Sequence, residues 1–251
     1  MVETNRDKLA DLKGLSAELE ALEPPRVLEW ALATFGERLA LSSSFQTQSL
    51  PLLHFVATHT PEIPVLFLDT GFHFPETLAF RDQLVEEWGL KVLNLQYADG
   101  HGAFQQRHGA LYKTDPDMCC RLNKVEPLKA ALEHYDAWIT GVRRDQTENR
   151  ATTPVISQRS DGVYKICPMV TWTSRDVFKY INAHDLPVHP LLSQGYMSVG
   201  CAPCTKSTFG GDERSGRWAG SGKTECGLHL DTPGGAGRGD IGRNAKGHGQ
   251  Q

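Results

Sequence analysis

Leucines at 9, 12, 15, 19 and 22 recur at near-helical spacing, and Pro24-Pro25 then closes that stretch and opens another carried by Leu28, Trp30 and Leu32. The pattern predicts two helices ahead of the main body. Short apolar runs at 39–41, 65–68, 92–95 and 138–142 read as strands, and the longer stretches 49–58, 75–88 and 118–132 read as helices. Strands alternating with helices at this interval imply an α/β fold, a parallel sheet with helices on both faces. Ligands of such sheets sit at the carboxyl ends of the strands, near the switch in strand order.

Residues 155–156 and 163–166 flank Asp161-Gly162 and predict a hairpin, while 174–183 predict a helix capped by Thr173 or Ser174. From residue 231 the chain is Gly-rich and nearly devoid of large apolar side chains, a composition that cannot offset its own ordering entropy, so disorder is expected there. The expected organisation is helices at 1–36, an α/β domain at 37–205, a mobile C-terminal tail at 206–230 and a disordered Gly-rich end at 231–251. There is no internal repeat.

With 251 residues, 39% of them apolar, the chain can bury an ordinary core. No apolar run reaches the roughly 18 residues of a membrane span, and the first dozen residues are charged rather than signal-like. A cytoplasmic location is expected, where thiols stay reduced and clustered cysteines are more often metal-binding or catalytic than disulfide-forming. The formal charge of −4 argues against a nucleic-acid partner, so an anionic substrate must be caught by local cations.

Five of the six cysteines fall into three groups: the adjacent Cys119 and Cys120, the CxxC of Cys201 and Cys204, and Cys226 within Glu225-Cys226-Gly227-Leu228-His229. Four thiolates suit a tetrahedral zinc or an iron–sulfur cubane. Zinc sites usually separate each pair by about two to four residues, so the adjacent pair favours iron and sulfur, although spacing alone leaves both open. Asp115 and Asp117 precede the predicted helix as candidate caps, and Lys124 falls four residues after Cys120 on the same helical face. There it either offsets a negative cluster or is simply a solvated lysine. Cys226, with Lys223 before it and glycines at 216, 220 and 222, reads as a mobile nucleophile whose thiolate nearby cations favour, or as a spare cysteine in a flexible tail. Cys167, alone before Pro168, reads as a small buried apolar group.

The loop Ser42-Ser43-Ser44-Phe45-Gln46-Thr47-Gln48-Ser49 follows a predicted strand and leads into a helix, so hydroxyls and free N–H groups converge where an anion would sit. It lacks the glycines and lysine of a Walker loop. A second loop, Asp69-Thr70-Gly71, opens at the same sheet edge. Arg143-Arg144 after the fourth strand, with Arg214 and Arg217 in the tail, offer guanidinium forks that clamp oxyanions. A charge pair at about 4 Å is worth about 4 kcal/mol at an effective dielectric near 20, so two or three such cations suffice for a sulfate.

Taken in order, Ser42-Ser43-Ser44-Phe45, Leu68-Asp69-Thr70-Gly71-Phe72-His73-Phe74-Pro75-Glu76-Thr77, Cys119-Cys120-Arg121-Leu122-Asn123-Lys124, Thr140-Gly141-Val142-Arg143-Arg144-Asp145-Gln146, Gly200-Cys201-Ala202-Pro203-Cys204 and Glu225-Cys226-Gly227-Leu228-His229 are specific. Over residues 39–230 the chain resembles the iron–sulfur-containing, bacterial adenylyl-sulfate reductases of the phosphoadenylyl-sulfate reductase family. The resemblance implies a Rossmann-like, adenine nucleotide α-hydrolase fold and the reduction of adenosine 5′-phosphosulfate to sulfite and AMP. It assigns Cys226 as the nucleophile that becomes an S-sulfocysteine, with thioredoxin or glutaredoxin as the reductant that releases sulfite. It places a [4Fe-4S] cluster on Cys119, Cys120, Cys201 and Cys204, organising the sulfate site without passing electrons. Lys124, Arg214, Arg217 and a serine of the first loop would hold phosphate and sulfate, His229 would join them, and Asp69, Gly71 and Arg143-Arg144 would position the nucleotide. A homo-oligomeric state is allowed by the sequence. The first loop departs from the family pattern at Gln46. Two alternatives accompany this reading: a reductase of the 3′-phosphorylated nucleotide, and a cluster-bearing redox sensor in which Cys226 is incidental. ATP-pyrophosphatases share the fold but need a Ser-Gly-Gly-x-Asp-Ser loop that the sequence lacks.

Overall fold

The computed structural model describes residues 5–209, 213–219 and 223–229. The Gly-rich end expected to be disordered lies outside these residues. The N-terminal pattern resolves into a 3₁₀ turn at Asp7–Ala10 and α1 (Leu12–Glu20), because Asp11 accepts a hydrogen bond from Gly14 N at 3.0 Å and so starts a new helix. α2 (Pro24–Phe35) begins on its prolines, where a missing N–H costs nothing. The chain then runs through β1 (Leu39–Ser42), α3 (Leu50–His59), β2 (Val65–Leu68), α4 (Pro75–Trp88) and β3 (Val92–Leu95).

Next come α5 (Gly100–His108), α6 (Leu111–Thr114) and α7 (Pro116–Cys120), followed by a π turn at Arg121–Val125 and α8 (Glu126–Leu132). The single helix predicted over 118–132 is thus divided. Pro127, early in α8, has no N–H to give to the turn before it, so the ladder opens by one residue there. Asp115 caps α7 by accepting from Met118 N at 2.9 Å. β4 (Ala137–Thr140), β5 (Ile156–Gln158), β6 (Tyr164–Ile166) and α9 (Ser174–Ala183) complete the body, and Thr173 with Asp176 forms a capping box on α9.

The six strands run in the order β3-β2-β1-β4-β6-β5, all pairs parallel except β5 with β6, the predicted hairpin. β1 sits beside both β2 and β4, with Leu41 opposite Val65 and Ser42 opposite Thr140. Strand order reverses between β1 and β4, which opens a crevice at their carboxyl ends.

Alternation sorts the strand residues between two cores. Leu39, Leu41, Val65, Phe67, Ala137 and Ile139 pack with α1, α2, α3, α4 and α9, and Ala40, Leu66 and Trp138 pack with Leu128 and Leu132 of α8. Each fully buried Leu or Phe contributes about 1.5–3 kcal/mol. Cys167 belongs to the larger core at 1% exposure, as its sequence context suggests. Among the described residues no helix is long and apolar enough to cross a membrane.

Candidate functional site

The crevice at the ends of β1 and β4 is lined on the sheet side by Ser42, Ser43, Ser44, Thr140 and Gly141. Trp138, inside β4, donates from Nε1 to Ser42 Oγ at 2.8 Å and so orients the first hydroxyl of the loop. Phe45 turns the chain with a left-handed φ of 53°, held there by complete burial and an edge-on contact with Phe67 at 5.6 Å. That turn aims Gln46 across the crevice, where its Oε1 accepts from Val199 N at 2.8 Å, just ahead of the CxxC. The departure at Gln46 is therefore a strut between the two loops.

The second loop supports the site from behind. Asp69 accepts from Gly71 N at 3.1 Å and from Gln96 at 3.0 Å, and Gly71, at φ 69°, lies under the ring of His101, which leaves no room for a Cβ. Neither Asp69 nor Gly71 borders the crevice, whereas Leu68 and His73 do. His73 pairs across a β-bridge with Cys201, joining this loop to the CxxC.

Cys119 and Cys120 end α7, and Cys201 and Cys204 flank the short turn Ala202–Cys204; all four meet around one pocket with Thr70, Asn123, Lys124 and Trp218. None of the six cysteines takes part in a disulfide. Burial, reinforced by the neighbouring sulfurs, pushes the Cys119 thiol up to about 12, and burial pushes Cys204 up to about 11. Burial raises Cys120 too. Cys201 moves the other way: burial opposes ionisation, but Lys124, the Thr70 hydroxyl at 3.3 Å and Arg217 outweigh it. Three of the four sulfurs resist ionising, so holding all four as thiolates calls for a positive centre among them. Among the described residues no three His, Cys, Asp or Glu side chains converge on a single ion position. Four thiols around one pocket are nevertheless a donor set that fits an iron–sulfur cluster, as it fits a tetrahedral zinc.

Lys124 links this pocket to the crevice, since it lines both. It sits in the π turn at 9% exposure. Burial acts to discharge it, yet Cys201, Cys120 and Cys226 hold its ammonium well above the usual lysine range. The solvated-lysine alternative is thereby excluded.

The tail residues close the crevice from the other side. Arg217 donates to Val199 O at 3.3 Å, and its guanidinium fills the space where a side chain on Gly200 would stand. It stacks on Trp218 with 4.6 Å to the ring centroid. Arg214 donates to Thr224 O at 3.2 Å. The Nε of each arginine, and Nδ1 of His229, is buried and without a partner among the described residues. The His229 ring stacks flat on Trp138 at 5.4 Å, and its carbonyl accepts from Lys165 at 3.2 Å. Burial, then the cations Arg150 and Lys165, keep this imidazole neutral well below its ordinary range. Cys226 is half-buried and lines the same crevice.

Two arginines predicted to face the nucleotide are engaged elsewhere. Arg143 is fully buried and spends its fork on Asp145 at 3.0 Å, Gln48 at 2.9 Å and Glu213 at 2.9 Å. Arg144 makes a two-pronged contact with Glu20 of α1, both at 2.7 Å, and donates to Thr153 O. Neither borders the crevice; Arg150, which sequence reasoning missed, does. Its setting, Thr147-Glu148-Asn149-Arg150, reads as solvated loop, and nothing in that stretch marks the one guanidinium that turns inward.

Residues 38–207 match the family described as the phosphoadenosine phosphosulfate reductase domain. A relative from Streptomyces coelicolor named adenosine 5′-phosphosulfate reductase is 43% identical over 215 residues, 84% of this chain and 90% of its own. One of the same name from Chelativorans sp. is 43% identical over 231 residues, covering 87% and 94%. A relative from Photobacterium profundum named phosphoadenosine 5′-phosphosulfate reductase is 41% identical over 235 residues, covering 91% and 92%. The crystal structure of phosphoadenylyl-sulfate reductase from Candida auris, a phosphate complex, matches at a TM-score of 0.67 and 28% identity over 81% of this chain and 98% of that one. FMN adenylyltransferase of Candida glabrata, with FAD and inorganic pyrophosphate, matches at a TM-score of 0.57 and 12% identity over 90% and 81%, a likeness of fold alone.

Proposed function

The chain belongs to the phosphoadenosine phosphosulfate reductase family, and we propose that it reduces adenosine 5′-phosphosulfate to sulfite and AMP through a sulfonated Cys226. It is an oxidoreductase of sulfate assimilation acting on a sulfur group. The observation that carries the substrate reading is the meeting of Cys226, Lys124, Arg214, Arg217 and His229 at one crevice beside the seryl loop.

The nucleotide would lie over Ser42, Ser43 and Ser44, its phosphosulfate directed to Lys124, Arg214 and Arg217, whose buried fields are little screened by water. His229, neutral and pinned on Trp138, would donate or accept one hydrogen bond without adding charge. The Cys226 thiolate attacks sulfur in line with the leaving phosphate: the S–S bond of the S-sulfocysteine forms as the S–O bond breaks, and that electron pair departs on AMP. A thiolate of thioredoxin or glutaredoxin then attacks Cys226 Sγ, sulfite leaves with the S–S pair, and a second reductant thiol resolves the mixed disulfide. The segment 206–230 would carry Cys226 between the two partners.

Cys119, Cys120, Cys201 and Cys204 would hold a [4Fe-4S] cluster. When bound, it would supply a fixed local charge beside Lys124 and no electrons to the substrate. A reducing compartment such as the cytoplasm suits six thiols. Lys124 then serves the sulfonate more than the nucleoside. The Lys124→Ala variant is expected to lower kcat by about 10²–10³-fold, with AMP affinity reduced far less, checked by sulfite assay and AMP titration. Equal losses in both would remove the sulfate role.

The relative from Photobacterium profundum gives the 3′-phosphorylated nucleotide specific support as a second reading. Sulfite release with thioredoxin from each nucleotide tests both: kcat/KM is expected to favour adenosine 5′-phosphosulfate, and preference for its 3′-phosphorylated form would reverse the assignment.

A further inference from the structure

Cys226 follows directly on Glu225, whose side chain is only 6% exposed. Arg150, 8% exposed, grips that carboxylate with both prongs: Nε donates to Oε1 at 2.8 Å and Nη2 to Oε2 at 2.7 Å. Thr147 Oγ1 adds a third donor at 3.2 Å, and Arg214 stands 3.5 Å away. Gln146 accepts from the remaining nitrogen of the Arg150 fork and fixes its orientation. Thr147 and Arg150 belong to the loop that follows β4, and Glu225 belongs to the chain that brings the reacting sulfur. The contact therefore ties body to tail one residue from the chemistry.

A buried carboxylate is tolerated only while its counter-charge and donors stay in place. A charge pair of this kind avoids the penalty either docked and paired or undocked with both charges hydrated. Docking the tail with Glu225 unpaired would strand a charge away from water. Position of the thiol and formation of the pair are therefore a single event.

We propose that Glu225 is a positioning residue, a latch whose capture by Arg150 sets Cys226 against the crevice and whose release frees the tail. The proposal deepens the reading of Cys226 as nucleophile and rests on it. Glu225 touches no substrate in this role; it acts through the placement of its neighbour. The bidentate geometry matters as much as the charge, because Lys offers a point charge where Arg offers a planar fork.

The test uses the full-length, cluster-loaded chain with AMP bound. Carboxamidomethylation of Cys226 by iodoacetamide is followed by peptide mass spectrometry across pH, and the plateau rate at high pH is read so that altered thiol acidity does not count. Glu225→Gln is expected to raise that plateau at least about tenfold, as loss of a buried partner opens the docked state. Arg150→Lys is expected to do the same, and the double variant to rise no further than either single one, since the two act through one contact. Glu225→Gln is also expected to slow single-turnover sulfonation about tenfold while AMP affinity and iron content stay unchanged. A plateau equal to that of the parent chain, or additive effects in the double variant, would overturn the latch. A raised plateau with the sulfonate found on another residue would uphold the latch and reject Cys226 as the nucleophile.

Discussion

Replacing Cys226 with Ser is expected to abolish sulfite release, by about four orders of magnitude or more, while iron, sulfide and visible absorption remain those of the parent protein. The size follows from the step removed. A serine hydroxyl is overwhelmingly protonated near neutral pH, and among the described residues no aspartate lines the crevice to form a His–Asp base; Lys124, Arg150, Arg214 and Arg217 are cations and His229 is neutral and stacked on Trp138. Lys124, Arg214 and Arg217 would still bind the nucleotide, so AMP affinity is expected to stay within about twofold, a shift well below the 1.4 kcal/mol of a tenfold change. The pairing of lost turnover with intact colour separates a nucleophile from a ligand. Full turnover with serine at this position would support the redox-sensor reading, in which Cys226 is incidental.

The second large effect is expected at Cys201. Its sulfur shares a hydrogen bond with the Thr70 hydroxyl, lies near Lys124 and is the one thiol of the four whose surroundings favour the thiolate. Cys201→Ser is expected to bleach the protein, with iron and sulfide falling to background and sulfite release lost together. Stability should fall as well. Lys124 keeps its charge at 9% exposure because Cys201, the strongest of its sulfur neighbours, favours it, and a buried cation that loses its main counter-charge costs about 3–5 kcal/mol. Iron analysis, the visible spectrum and a denaturant midpoint check this together. Retention of iron with loss of activity would instead make Cys201 a substrate contact.

The sheet is legible in the sequence because its central strands are buried on both faces, so Leu39, Ala40 and Leu41, or Val65, Leu66 and Phe67, stand as unbroken apolar runs. The α5–α6 stretch is not: Gly100–His108 buries only Phe104, and its glycines and histidines carry no helical stripe. The π turn at Arg121–Val125 is likewise invisible to a periodicity of 3.6, although Pro127 marks where the ladder must open.

At the site, residue types carried the information and directions did not. Thiols are few, so their grouping points to shared chemistry before any geometry is seen, and Cys119, Cys120, Cys201 and Cys204 do surround one pocket. Guanidiniums are common, and a sequence does not say which carboxylate claims each one. Glu213 and Asp145 claim Arg143, Glu20 claims Arg144, and the arginine of the loop after β4 that reaches the crevice is Arg150, itself held by Glu225. Lys124 shows the converse: its spacing from Cys120 is visible in the sequence, but only the charge of sulfurs brought near it by the fold explains a buried ammonium.

A sulfonate carried by the thiol of residue 226 should accumulate on the enzyme when no reductant is there to remove it. Incubating the cluster-loaded protein with adenosine 5′-phosphosulfate in the absence of reductant, then mapping its peptides by mass spectrometry, tests this directly. One sulfonate per chain is expected on Cys226, removed by thioredoxin with equal release of sulfite; an adduct on any other side chain, or sulfite formed with none detectable, would rule out Cys226 as the carrier.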